Sequence, residues 1–482
     1  MNWFVFWIAV YLLVLIYFTI KHVKNLDIDT YLVNNRNTST LPLVFTTLAT
    51  FVGGGVCMGL IAMGYTSGFA AIAIGIAYII GFFILYFFAA KIRKVGAERN
   101  IYSFTEFLCR SYIKNHKLSW FSRSFSGIIS GINVVIFFFL TAAQFVGMAT
   151  ILHYAFNVGF VYAAGISFVI VIVYTALAGL SGVIITDFIQ FIVIVLMIIV
   201  IFIPGIWAET DGLSKLQQLP ASFLNGTHEG WLFLLGLPIL LSPSVLTRMD
   251  IWQRTLAAKS EKTAKRTAVY SGLAMLPFYI IFPLVGMAVR ASYGADIDPN
   301  NTANIFLENN SGQVLLAFAV IGLLAALMSS ADSFLNIVAI TAVRGFSKNT
   351  YSKDSNKAQF LKIRIGVVVF GAIALALALY FADIVELFIA GITLNILFTP
   401  VSILALVKKD VYKYKYAAYA SIATGTIVIA AFFTYGFITL HDGILKIAFI
   451  PATIMATIAL LIGMWYQNRK KSKQQLLESS NL

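Results

Sequence analysis

The segment TTLATFVGGGVCMGLIAMG, from Thr46 to Gly64, decides how this chain folds. It belongs to an apolar stretch long enough to cross a bilayer, which takes about 20 residues. Three consecutive glycines, Gly53, Gly54 and Gly55, stand at its middle. Each costs a helix interior about 1 kcal/mol relative to alanine. An isolated glycine lets membrane helices pack closely. Three in a row at mid-membrane point instead to an unwound stretch whose freed backbone faces a cavity.

A second interruption follows in GLPILLSPSVL, Gly236 to Leu246, which is short and carries Pro238 and Pro243. The second broken segment stands five spans after the first, and an odd offset starts two repeats on opposite sides of the membrane. Paired Gly/Pro-broken segments in two halves are the best sequence pointer to a transport site. Two inverted five-helix repeats are therefore expected, over 41–204 and 231–407.

The rest of the chain agrees with a membrane reading. Of its 482 residues 60% are hydrophobic and 11% are charged, against roughly 25% charged in soluble domains. Thirteen spans are expected near 3–20, 41–64, 67–90, 124–153, 159–178, 182–204, 231–247, 267–289, 313–343, 365–382, 385–407, 416–438 and 444–466. With the N-terminus outside and the C-terminus inside, 31 of the 34 Lys and Arg fall in the inside loops 21–40, 91–123, 248–266, 344–364, 408–415 and the tail. Only Lys215, Arg290 and Lys446 lie outside. Basic residues near span ends fix orientation, so this alternation supports the count. It also accounts for the net charge of +14 without a nucleic-acid partner.

No polar segment is long enough for a separate soluble domain, so 1–482 is read as one transmembrane domain. Within it, 1–40 holds a peripheral first helix and an inside loop, 416–466 two peripheral helices, and 467–482 a cytoplasmic tail. Residues 2–20 lack the basic start and small-residue cleavage site of a signal peptide. Two cysteines, Cys57 and Cys109, form no disulfide framework, and five histidines make zinc chemistry and a resident cofactor unexpected. No nucleophile, base and metal-ligand constellation points to an enzyme. An aspartyl protease with paired carboxylates would use motifs unlike the ITDF and SADS contexts found here. A channel would show a repeated filter segment, and none is present.

Two carboxylates fall clearly within spans, Asp187 and Asp332. An intramembrane ionisable group is a functional candidate by default. Asp187 stands three residues before Gln190 on one helix face. Asp332 lies in AALMSSADS, where Ala326, Ser329, Ser330 and Ser333 form a small, hydroxyl-rich patch. Sodium takes hard oxygen ligands, as calcium and magnesium do. Serines at this spacing also bond back to the preceding turn and let helices pack; the carboxylate favours ion binding.

These segments resemble the sodium:solute symporter family, the solute carrier 5 relatives of bacterial sugar, proline and sialic acid symporters. LAGLSGVIITDFIQ (Leu177–Gln190) matches the family's TDxxQ signature, and LLAALMSSADSFL (Leu323–Leu335) its AxxS(S/T) sodium segment. TFVGGGVCMG (Thr50–Gly59) resembles the first core helix, with the VGGG form of the choline branch. The resemblance implies a LeuT-like fold and a main sodium site. That site takes backbone oxygens of Ala49, Val52 and Ala326 and the hydroxyls of Ser329 and Ser330. A second cation site falls on Asp187, Asp332 and Ser333, and the extra carboxylate at 332 leaves the number of coupled ions open.

For the solute, Phe45, Phe51, Gly53, Gly54, Gly55, Tyr78 and Ser242 are the expected cavity residues. Phe51 and Ile239 stand where the choline branch has tryptophans, which weakens an aromatic cage for a quaternary ammonium. The expected activity is sodium-coupled symport of a small neutral or zwitterionic solute across the plasma membrane, by alternating access and with no obligate protein partner. A proton-coupled permease of the same fold, using the aspartates as a relay, is the alternative. A transporter-like sensor is less favoured, because no signalling domain follows.

Overall fold

The computed structural model describes residues 3–22, 28–113, 119–345, 356–439 and 447–480. Residues 1–2, 23–27, 114–118, 346–355, 440–446 and 481–482 lie outside the described part, and so do the pieces of the expected loops, last span and tail that fall there. The first half contains α1 (Trp3–His22), α2 (Ile28–Val33), α3 (Thr40–Phe51), α4 (Gly54–Ser67), α5 (Ala70–Glu98), α6 (Phe104–Tyr112), α7 (Trp120–Phe156), α8 (Phe160–Met197), α9 (Ile203–Glu209) and α10 (Ala221–Leu224). The second half contains α11 (Trp231–Gly236), α12 (Met249–Ala257), α13 (Glu261–Tyr293), α14 (Thr302–Asn310), α15 (Gln313–Gly345), α16 (Asn356–Tyr380), α17 (Ile384–Ile396), α18 (Thr399–Val407), α19 (Lys415–Thr439) and α20 (Phe449–Ser480).

Among the described residues, 9 helices are singly long and apolar enough to cross a membrane. Two bent pairs, and the shorter apolar helices Trp3–Thr19 and Phe160–Ala176, stand where the remaining expected spans do. The expected spans at 159–178 and 182–204 meet at a kink at Gly179 (φ 59°, ψ −177°). A side chain there would be strained by its positive φ, and a Cβ would come within 2.4 Å of Tyr31. The tail continues α20 as helix through Ser480.

The first broken span is α3 followed by α4, bent by 49°. The last bond of α3 runs from the Val52 N–H to the Leu48 carbonyl (2.9 Å), and α4 starts with the Cys57 N–H on the Gly53 carbonyl (2.8 Å). The unwound stretch expected at the glycines is thus only Val52 and Gly53. Backbone freedom is not why they are glycines, since Gly53 has φ −68°, which any residue adopts. Space is the reason: a Cβ on Gly53 would lie 1.9 Å from Ser330 Oγ, and one on Gly55 2.1 Å from the Phe388 ring.

The second broken span corrects the sequence reading. It does not end at 247. After α11 come a π-turn at Leu237–Leu241 and a 3-10 turn at Ser242–Leu246, with prolines that cannot donate to a regular helix. The chain then bends by 47° into α12. Every residue of Met249–Ala257 is buried, so the first part of the expected inside loop 248–266 is the other half of this span. Arg248, Asp250 and Arg254 made it read as loop; their charges are paired inside the protein.

Around this centre α13 lies along α4 and α5, and α15 lies against α7, α8 and the end of α3. The contact of α4 with α13 is backbone on backbone. A Cβ on Gly286 would come within 2.0 Å of the Ile61 carbonyl and 2.5 Å of the Tyr65 nitrogen. Gly286→Ala must push the two helices apart, an overpacking cost of about 1–3 kcal/mol. A clear drop in thermal midpoint is expected in detergent. Gly131→Ala, where nothing stands within 4 Å of the added carbon, serves as the control without that drop.

Candidate functional site

Where α3 stops, its last carbonyls lose the N–H partners that a continuing helix would supply. The hydroxyls of α15 fill that gap. Ser329 Oγ donates to the Ala49 carbonyl at 2.7 Å and stands 2.9 Å from the Ala326 carbonyl. Ser330 Oγ donates to the Thr50 carbonyl at 2.7 Å, with the Ala326 carbonyl at 3.4 Å. Ala49, Ala326, Ser329 and Ser330, chosen from two distant segments, are therefore in contact, and all are buried. Val52 is buried at the break itself. Thr50 was not anticipated, and its carbonyl belongs to the same set.

One helical turn further along, a second polar cluster surrounds a guanidinium. Arg254 Nη2 stands 3.3 Å from Asp187 Oδ2, 3.0 Å from Ser333 Oγ and 3.0 Å from Thr46 Oγ1, and it also bonds Thr50 Oγ1. Thr46 Oγ1 donates to Asp187, and Thr50 Oγ1 lies 3.1 Å from Ser333 Oγ. So Asp187 and Ser333 are brought together, with an arginine between them. Asp332 is fully buried, and neither of its carboxyl oxygens has a hydrogen-bond partner among the described residues.

Beside both clusters lies a narrow cavity of about 10 Å³, room for about one water in this closed arrangement. Of the expected solute residues, Phe51, Gly53, Gly55 and Tyr78 stand on its wall. Gly54 does not; its N–H donates to Gln144 Oε1 at 2.5 Å. Ser242 is buried away from the wall, with no partner for its hydroxyl among the described residues. Phe45 packs instead against Phe188 and Phe191. The wall also includes Arg248, Tyr279, Phe334 and Phe388, none of them anticipated.

Arg248 and Arg254 escaped the sequence reading because Lys and Arg near a span end normally mark a cytoplasmic loop. One local signal did exist. In MDIWQRTLA the apolar residues Met249, Ile251, Trp252 and Leu256 are continuous with a proline-broken span, and a broken helix needs a second half. Trp252 sits between Phe104 and Phe107 of α6, its ring centroid 5.5 and 4.7 Å from theirs, and so fixes α12 beneath the cavity.

This geometry has relatives. The model of the sodium:solute symporter family matches residues 31–428. A sodium/proline symporter of Staphylococcus aureus is 26% identical over 398 residues, covering 78% of this chain and 75% of that protein. A solved Na+-coupled sialic acid symporter, substrate-bound and outward-open, superposes with a TM-score of 0.76 at 18% identity, over 96% of this chain and 95% of that one. Mhp1, a nucleobase-cation-symport-1 family transporter in a closed conformation with bromovinylhydantoin, gives 0.58 at 14% identity, over 90% of this chain and 94% of that one. These likenesses establish a LeuT-like, all-α membrane fold, and the proteins that share it here are transporters. With the family model covering most of its length, the chain belongs to the sodium:solute symporter family, whose members are sodium-coupled secondary transporters.

Proposed function

We propose that this protein carries a small organic solute into the cell together with sodium, by alternating access across the plasma membrane, with its N-terminus outside. The single observation behind the ion site is the meeting of the Ser329 and Ser330 hydroxyls with the freed carbonyls of α3. Together with the carbonyls of Val52 and Ala326, these are hard oxygens of the kind sodium takes. An ion held there ties α15 to the end of α3 and so fixes the wall of the adjoining cavity. Ion and solute then raise each other's affinity by one common factor.

In this cycle the repeats 41–204 and 231–407 supply the two broken spans, and the rest of the helices serve as scaffold. Inward release requires opening the contacts beneath the cavity. These include Gln253 Nε2 on the Leu32 carbonyl (3.2 Å) and Arg36 Nη2 on the Ile101 carbonyl (2.8 Å).

The arrangement favours one sodium per cycle. A guanidinium lies where the resemblance places a second cation, between Asp187 and Ser333. A fixed positive charge there opposes the entry of another. Uptake by reconstituted proteoliposomes, under an inward sodium gradient and then under a proton gradient alone, tests the reading. Sodium-driven accumulation is expected, with a Hill coefficient for sodium of about 1. Uptake driven by protons and indifferent to sodium would sink the ion site and make Asp187 and Asp332 relay candidates.

A further inference from the structure

We propose that Arg248 selects the solute and that the solute is a small monocarboxylate with an apolar body; this rests on the symport reading above. Arg248 joins the 3-10 turn of the second broken span to α12 and is 5% exposed. A cation buried at this depth needs an anion, and Asp250 supplies one two residues on. Asp250 accepts from Nε at 3.0 Å and from Nη2 at 2.7 Å, along one edge of the guanidinium. Nη1 is left uncommitted to that carboxylate. Asp250 stands behind the arginine and off the cavity wall, whereas Arg248 is on it. The charge that the cavity meets is therefore positive.

The guanidinium is also held in place. Its carbon lies 4.0 Å from the centroid of the Phe51 ring, a stacking that fixes the plane of the fork. Tyr78 and Tyr279 stack 6.1 Å apart on the same wall, and the Tyr279 hydroxyl has no partner among the described residues. A carboxylate reaching Nη1 would find a hydroxyl donor available there as well. This is a preorganised anion pole, of the geometry that favours planar carboxylates.

The remainder of the wall decides against other solutes. Phe334, Phe388 and Val56 make it apolar, and no acidic residue lines it. Apart from the Tyr78 and Tyr279 hydroxyls, which have no partner among the described residues, its polar side chains are engaged: Gln144 bonds Gly54 and the Leu140 carbonyl, and Ser330 bonds Thr50. Two tyrosine hydroxyls cannot serve the many hydroxyls of a sugar, and burying the remainder without partners is costly. An amino acid would bring an ammonium to a wall that offers it no carboxylate. A monocarboxylate needs only the pole and the aromatic surface.

The test uses the full chain in proteoliposomes at pH 8, with passive entry into protein-free liposomes subtracted. Labelled acetate, butyrate, benzoate and phenylacetate are compared with proline, glucose and choline under an inward sodium gradient. Sodium-dependent accumulation of at least one carboxylate is expected, and its amide should fail to compete even at about 100-fold excess, as loss of a charge-assisted bond implies. That comparison needs no variant. Arg248→Gln combined with Asp250→Asn, which removes the pair together, should raise KM about 10- to 100-fold while sodium dependence persists. Competition by the amide equal to that of the acid overturns the proposal. So does uptake of none of the four carboxylates, or sodium-driven uptake of proline, glucose or choline in their place, and the last result leaves the symport reading intact. Carboxylate uptake indifferent to sodium does the reverse: it overturns sodium coupling and upholds the role of Arg248.

Discussion

Arg254→Ala should destabilise the protein by about 3–5 kcal/mol, the cost of leaving a buried charge without its partner. The guanidinium joins four elements. It reaches Thr46 and Thr50 of α3, Asp187 of α8, Ser333 of α15 and, through Nη1, the Asp250 carbonyl of its own α12 at 3.2 Å. Removing it strands the Asp187 carboxylate, which is 0% exposed, among hydroxyls that can satisfy only part of it. The thermal midpoint in detergent should fall accordingly. Adding Asp187→Asn to the same chain should restore part of the loss, because the stranded charge goes with it. Equal midpoints for Arg254→Ala and the parent would show that this cluster is not the tie that the geometry describes.

The second large effect is on sodium. Ser329→Ala removes the hydroxyl that spans the Ala49 and Ala326 carbonyls. As one of about five oxygens around the ion, it contributes a bond to a charged group of about 1.5–3 kcal/mol. The sodium concentration for half-maximal uptake should therefore rise about 10- to 100-fold. Ser333→Ala is the comparison. Its hydroxyl faces Thr50 Oγ1 and Arg254 rather than the freed carbonyls, so stability should fall with little change in sodium dependence. A Ser329→Ala protein that needs no more sodium than the parent would place the ion elsewhere.

Much of this was legible in the order of residues. Hydropathy located the apolar stretches, and Gly53–Gly55 and the prolines 238 and 243 marked where two of them break. Spacing put Ala326, Ser329, Ser330 and Ser333 on one side of a helix, and the structure brings all three serines onto α3. The role of the glycines was only half legible. That the helix breaks there was readable, but the Ser330 and Phe388 side chains that require the missing Cβ atoms lie far along the chain.

The charged residues of the second broken span were the main misreading. Scored one at a time, Arg248, Asp250 and Arg254 exclude a buried helix, and positive charge near a span end is ordinarily a loop. The partners that reverse this judgement are not neighbours. Asp187 is 67 positions from Arg254, and Thr46 is 208.

By itself the sequence determined the class, the positions of the apolar stretches and the serine patch, because the hydrophobic effect and the helical period act through sums over nearby residues. Only the tertiary structure decided which charges are inside, since the cost of burying one depends on the partner it meets. It therefore also decided that the expected second cation place holds an arginine, and that a guanidinium stands on the wall of the expected solute cavity.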